Sequence, residues 1–268
     1  MLHPLRTMLD VLDRRDDDAH FYFCGDYCDR GPETKGVVDL LIALQQDKRA
    51  TCVRGNHDDL FDLCLNRRSF ASGPEETVDA PDAAIAEATR LFWREGILET
   101  MLSYGVRLDE AGVTVGDKAA ADAWVAEQYK KVPDAHKQFF RSLPAVAETD
   151  DFFVVHATWP PDQLDERDRM NALVARDAHL GHEAIWGRYI ANQIRSEKAW
   201  NRPGYVGHTP TDTYWNHPDL LPEPGLVIRG RGVTLCDTGC FAPGGRLSAV
   251  CHDSGEVVQI HRTGELMD

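Results

Sequence analysis

HFYFCGDYCDRG (His20–Gly31) and ATCVRGNHDD (Ala50–Asp59) are the two stretches that decide the fold. Each is a short apolar run that stops at a glycine and passes into charged and imidazole side chains, the pattern of a buried strand ending in a tight polar turn. Between them, KGVVDLLIALQQ (Lys35–Gln46) spaces its apolar residues at helical intervals. Strand, loop, helix, strand is a βαβ unit, which predicts a parallel pair joined by a right-handed crossover. Upstream, Leu2, Leu5, Met8, Leu9 and Leu12 predict an amphipathic helix over 2–12. Downstream, the chain from about 60 to 150 reads as mostly helical, with Ala-rich segments DAAIAEATRLFW and AAADAWVAEQYKK, and is expected to be a helical insertion. DFFVVHA (Asp151–Ala157) predicts a third buried strand, and YVGHTP (Tyr205–Pro210) brings a fourth strand end. The C-terminal third alternates apolar and polar residues between glycine turns, as in LVIRGRGVTLCDTG, GRLSAVCHD and GEVVQIHR, and is expected to be β-rich.

Composition narrows the function classes. The 268 residues are 43% hydrophobic and 27% charged, which suits a folded α/β chain and excludes wholesale disorder. With 29 Lys and Arg against 44 Asp and Glu the net charge is −15. Such a chain repels nucleic-acid backbones and anionic membranes, so neither is expected as its main partner. A polyanionic substrate would need a local cationic site built from arginine or bound metal. No apolar stretch reaches the length of a bilayer span, and MLHPLRTMLDVLDRRDDD does not read as a secretory signal. The seven cysteines are odd in number and sit largely in apolar runs, so a reduced, cytoplasmic protein is expected.

Four polar clusters follow the predicted strands: Gly25-Asp26-Tyr27-Cys28-Asp29-Arg30-Gly31, Gly55-Asn56-His57-Asp58, His156, and Gly207-His208-Thr209. In an open α/β sheet, ligands bind in the crevice beyond the carboxyl ends of the strands, where these clusters would converge. Their mixture of carboxylate, amide and imidazole donors suits Mn²⁺, Fe²⁺ or Zn²⁺ better than Ca²⁺ or Mg²⁺. One such cluster is weak evidence of function, because a histidine after a strand commonly serves structure. The ordered set is a far more specific signal.

These motifs, with VPDAHKQFFRSLP, VVHA, VGHTP and LCDTGCFAPGGRLSAV, resemble the calcineurin-like metallophosphoesterases, and more closely the bacterial and phage phosphoprotein phosphatases, over nearly the whole chain. The resemblance implies a single α/β domain over 1–268, a β-sandwich flanked by helices in an α+β-like four-layer arrangement, with the helical insertion. It also implies a dinuclear metal centre at the strand ends, with Mn²⁺ expected and Fe or Zn as alternatives. By analogy Asp26 bridges the metals, and Asn56, His156 and His208 complete one shell. His57 is then the general acid, oriented by Asp29, and Arg30 binds substrate phosphate together with Asn56 and a second arginine. Arg188 in IWGRY is the candidate for that second role, with Arg195 next. The implied activity is hydrolysis of phosphate monoesters by metal-activated water, as a Ser/Thr-type protein phosphatase acting on a phosphorylated protein or a small phosphoester. The alternatives are a symmetrical dinucleoside polyphosphate hydrolase and a non-catalytic phosphate-binding homologue.

One family motif is not found. Asp-x-His-Gly belongs at the end of a first strand, ahead of a helix with the pattern of Leu2–Leu12, and the chain begins in that helix. Asp18-Ala19-His20 has the letters, but six extended residues at about 3.3 Å each put it roughly 20 Å from Asp26, at the wrong end of the sheet. The expectation is that the natural protein starts upstream with this segment. For the chain as given, the expectation is one metal ion held by Asp26, Asn56, His156 and His208.

Overall fold

The computed structural model describes residues 1–66, 82–107, 109, 112, 118–159, 178–196 and 202–267. Within the expected insertion, GPEETVDAPD lies outside the described residues except for Asp82.

The deciding stretches form the expected unit. Helix α1 (Leu2–Asp13) leads to β1 (Phe21–Phe23), α2 (Thr34–Gln46) and β2 (Ala50–Cys52). β1 and β2 are parallel, with Phe21 opposite Ala50 and Phe23 opposite Cys52. α2 buries Val37, Val38, Leu41 and Leu44 along one face, as their spacing dictates. It stops where Lys48 takes a left-handed φ of 59°, which turns the chain into β2.

The polar turn expected at Gly55–Asp58 is instead the start of a helix. Helix α3 (Asn56–Asn66) puts Asn56, His57 and Asp58 in its first turn. The carboxylates of Asp58 and Asp59 favour that position, because the unpaired amides of a helix start attract negative charge. Helices α4 (Asp82–Glu95), α5 (Ile97–Ser103) and α6 (Lys118–Gln128) follow. A short 3₁₀ turn (Tyr129–Lys131) and α7 (Asp134–Ser142) complete this part. The described residues between Asn56 and Ser142 contain no strand. Phe61 is fully buried there, edge-on to Phe140 with ring centroids 5.0 Å apart, and joins α3 to α7.

A five-stranded mixed sheet is built from β3 (Val146–Glu148), β4 (Phe153–Val155), β5 (Gly204–Val206), β6 (Ile228–Arg229) and β7 (Val233–Leu235). Its order is β3-β4-β5-β7-β6, with β4, β5 and β7 mutually parallel and an antiparallel strand at each edge. The interior strand β4 is buried throughout, consistent with the apolar run FVV. Helices α8 (Ala178–Trp186) and α9 (Ala191–Ser196) lie between β4 and β5 in sequence. The chain ends in an antiparallel pair, β8 (Arg246–Val250) and β9 (Val257–His261), against which α1 packs Met8 and Val11. No helix among the described residues is long and apolar enough to cross a membrane.

Candidate metal centre and phosphate pocket

The loops after β1 and β2 approach so closely that glycine is required in both. A side chain on Gly25, whose φ is 95°, would lie 2.7 Å from the Gly55 amide nitrogen and from His156 Nδ1. A β-carbon on Gly55 would sit 2.1 Å from Asp26 Oδ1. This contact places Asp26 over the start of α3, where the His57 amide donates to its Oδ1 at 3.1 Å. Asp58 is the clamp. Its Oδ2 accepts from the amides of Asp26 and Gly55, each at 2.8 Å, and its Oδ1 from that of Tyr27 at 2.9 Å. Such fixing offsets local strain: Asp26, Asp29, Arg30 and His208 all adopt φ between 59° and 69°, a region costly for residues with a β-carbon.

Asp26, His156 and His208 come together, with one donor atom of each within 4.8 Å of the others. Asn56 lies between the two imidazoles. Its Oδ1 is 3.1 Å from His156 Nε2 and 2.9 Å from His208 Nδ1. His156 Nδ1 is 2.5 Å from the Cys24 carbonyl, which acts as its acceptor. Nδ1 thereby carries a proton, and Nε2 faces Asp26 Oδ2 at 3.3 Å. His208 Nε2 is buried without a hydrogen-bond partner among the described residues. An orphaned imidazole nitrogen beside a second imidazole and a carboxylate fits a divalent cation.

The carboxylate and the two imidazoles shift one another's protonation. Burial works against the charged form of His156, and the Asp26 carboxylate outweighs it and raises the imidazole to about 9. Burial, then the charge of His156, pushes His208 down to about 3. Burial opposes ionisation of Asp26, yet the surrounding histidines hold it well below the usual carboxylate range. Burial and the neighbouring Asp26 push Asp58 up to about 6.

Next to this trio stands a second constellation. His57 Nδ1 donates to Asp29 Oδ2 at 2.6 Å, and both side chains are almost fully buried. Thr100, on α5, holds the other side of Asp29. Its hydroxyl donates to Asp29 Oδ1 at 2.8 Å and accepts from the Asp29 amide at 2.7 Å. The sequence reading missed Thr100, because nothing in GILETMLSYG marks it; only the packing of α5 on the first loop brings it 71 positions back to Asp29. Thr100→Val removes both of these hydrogen bonds, and a third with the Thr34 hydroxyl, while keeping the shape. We expect a loss of about 1–3 kcal/mol in stability from the unsatisfied Asp29, read as a lowered urea midpoint, with Thr100→Ser restoring most of it.

Arg30 lies on the rim of the same cavity. Its guanidinium stacks over the Phe241 ring, 4.6 Å from the centroid, and pairs with Glu95 at 3.1 Å. Arg188 donates to Thr209 Oγ1 at 3.0 Å, one residue beyond His208. Arg195 is engaged elsewhere, in a two-pronged pair with Asp219 at 2.6 and 2.8 Å. Asp26, Asp29, Arg30, His57, His156 and His208 all border one cavity of about 770 Å³. His20, from the rejected Asp18-Ala19-His20, bonds Lys48 and Thr51 instead, at the opposite end of β1.

Comparison with known proteins gives this arrangement a context. A 114-residue match at 29% identity joins the chain to the bis(5'-nucleosyl)-tetraphosphatase PrpE [asymmetrical] of Anoxybacillus flavithermus. It covers 41% of this chain and 46% of that protein, so the chain spans about half the length of the relative. Two solved structures align at a TM-score of 0.44. One is a metallophosphoesterase from Sphaerobacter thermophilus, at 18% identity over 99% of this chain and 84% of that one. The other is the hypothetical protein PH1004 from Pyrococcus horikoshii OT3, at 13% identity over 100% of this chain and 84% of that one. The calcineurin-like phosphoesterase model matches residues 2–212, a span that contains every donor and arginine described above. The chain belongs to the calcineurin-like phosphoesterase family.

Proposed function

We propose that the chain hydrolyses phosphoesters at a divalent cation held by Asp26, His156 and His208, with Asn56 Oδ1 as a fourth donor. The observation that carries this reading is the buried His57–Asp29 pair beside that trio in one cavity. A cation bound there supplies Lewis acidity toward the phosphoryl oxygens and a water nucleophilic at neutral pH. Mn²⁺ is the ion we assign, because the donors mix imidazole with oxygen. Everything else falls to the protein. With Nδ1 committed to Asp29, His57 has only Nε2 to present to a substrate, which suits a proton donor for the departing oxygen. Asp29 keeps the ring in register and, on its far side, is itself kept by Thr100. Arg30 is preset by its stack on Phe241 and pairs one edge with Glu95, leaving its other edge to meet phosphate oxygens. Arg188 serves the same purpose from the His208 side, and Asn56 adds its amide to the phosphate as well as its oxygen to the cation.

Two substrate classes remain to be separated. A phosphorylated serine or threonine protein follows from the motif resemblance, and a dinucleoside polyphosphate is favoured by the named tetraphosphatase relative. Release of inorganic phosphate from a phosphothreonine peptide, measured beside cleavage of diadenosine tetraphosphate with Mn²⁺ present, decides between them. The products are informative too, since two ADP molecules report symmetrical cleavage and ATP plus AMP asymmetrical cleavage. Inactivity on both, and on p-nitrophenyl phosphate, would leave the chain as a phosphate binder and refute the enzymatic reading.

A further inference from the structure

Cys24 follows β1 and Cys236 follows β7, so the two belong to different sheets. Spacing alone would associate Cys24 with Cys28, but the structure does not. The Cys28 thiol is buried and turned to Asp58 Oδ1 at 3.9 Å. The Cys24 thiol instead engages the Cys236 thiol across the space between the sheets. Backbone contacts fix this pairing. The Cys236 amide donates to the Val206 carbonyl at 2.7 Å, and a β-carbon on Gly207 would lie 3.3 Å from Cys24 Cβ. Val206-Gly207, where β5 ends, therefore lies against both cysteines. Cys24 and Tyr22, on one face of β1, pack with Val53, Ala147 and Val154 in the apolar layer between the sheets. Both thiols are free, and both residues are half-buried, unlike the buried Cys28, Cys52 and Cys64.

We propose that Cys24 and Cys236 are a modification site, a reversible disulfide that fastens the β1–β2 sheet to the five-stranded sheet beside Asp26 and His156. The oxidant assigned is hydrogen peroxide. One sulfur attacks a peroxide oxygen; the O–O bond breaks, an S–O bond forms and water leaves. The second sulfur then displaces that oxygen, which departs as a second water as the S–S bond forms. Two thiols and one peroxide thus give one disulfide and two waters, and a dithiol reductant returns the two electrons. The bond draws the sulfurs to about 2.05 Å, closer than free thiols approach. Its location gives it a consequence. The Cys24 carbonyl accepts from His156 Nδ1 at 2.5 Å and holds that ring. Gly25, next in the chain, has no free space around it, so the loop transmits a shift of Cys24 to Asp26 rather than absorbing it. Oxidation is therefore expected to loosen the cation site, a consequence that rests on the functional reading above.

Peptide mapping by mass spectrometry tests the pairing without an activity assay. The metal-free 268-residue chain is treated with hydrogen peroxide, freed of it, alkylated and digested. We expect one cross-linked product joining the Cys24 and Cys236 peptides, lighter by two hydrogens and cleaved by dithiothreitol. Cys28→Ser should form it equally, and Cys236→Ser not at all. Titration with Mn²⁺ then reads the consequence: the oxidised chain should bind at least about tenfold more weakly than the reduced one, the lower end for disturbing a group that orients a ligand. Cys236→Ser should bind alike before and after peroxide. A Cys24–Cys28 bridge, or irreversible oxidation of Cys24 and Cys236 in place of a bridge, overturns the proposal. So does a bridged chain that binds Mn²⁺ as tightly as the reduced one. A reduced chain that binds no Mn²⁺ refutes the cation reading instead, since the mapping needs no metal.

Discussion

His57→Ala lowers kcat for a phosphothreonine peptide or another alkyl phosphate by about 10²–10⁴-fold, the span over which a positioned general acid contributes. The argument is geometric. His57 is anchored through Nδ1 to the buried Asp29 carboxylate at 2.6 Å, and its backbone amide holds Asp26. The alanine variant keeps the amide and with it the Asp26 loop, so cation affinity should change little. The loss is therefore expected in kcat rather than in metal dependence, and it should be visibly smaller with p-nitrophenyl phosphate, whose leaving group departs as a stable anion without a proton. Steady-state kinetics on both substrates at saturating Mn²⁺ check it. An equal loss on the two would assign His57 to cation or phosphate binding.

Arg54→Met destabilises the fold by about 3–5 kcal/mol, the range for removing one partner of a buried ion pair. Arg54 is 2% exposed and uses its whole guanidinium fork. Nη1 donates to Asp59 at 3.0 Å and to Asp62 at 2.9 Å, both on α3. Nη2 reaches the Phe140 carbonyl at 2.7 Å and that of Arg141 at 3.2 Å, and Nε reaches Leu143 at 3.3 Å, all at the end of α7. One side chain thus satisfies helix-terminal carbonyls and neutralises two carboxylates beneath the first turn that carries Asn56 and His57. Methionine fills much of the volume but leaves Asp59 and Asp62 charged in an apolar setting. A large fall in the urea midpoint is expected, and Asp59→Asn with Asp62→Asn in the same chain should recover part of it.

The legible and the illegible parts of this protein divide along the range of the interactions. The βαβ unit could be read because its signals are local: the FYF and ATC runs, their stopping glycines, and the apolar face of α2. Asp26, Asn56, His156 and His208 could be singled out because each follows a strand, but the expectation of one shared sheet does not hold: the structure brings the ends of β1 and β2 in one sheet against those of β4 and β5 in another. The helical start at Asn56 was misread as a turn, since GNHD has turn composition; the Asp58 carboxylate, by accepting the Asp26, Tyr27 and Gly55 amides, sets a helix there instead. Thr100 and Arg54 act across 71 and nearly 90 positions, and no spacing rule reaches that far. The separation of β1–β2 from β8–β9 was equally invisible, because strand partnership is a property of the assembled sheet.

Calorimetric titration of the metal-free chain with Mn²⁺, repeated on Asp26→Asn and His208→Ala, tests the central claim most directly. We expect about one equivalent bound by the unaltered chain, with affinity at least about a hundredfold weaker in each variant, since donors in direct contact matter more than the outer groups that already contribute ten- to a hundredfold. Failure of the unaltered chain to bind Mn²⁺, or binding that both variants retain in full, would contradict a cation site at Asp26, His156 and His208.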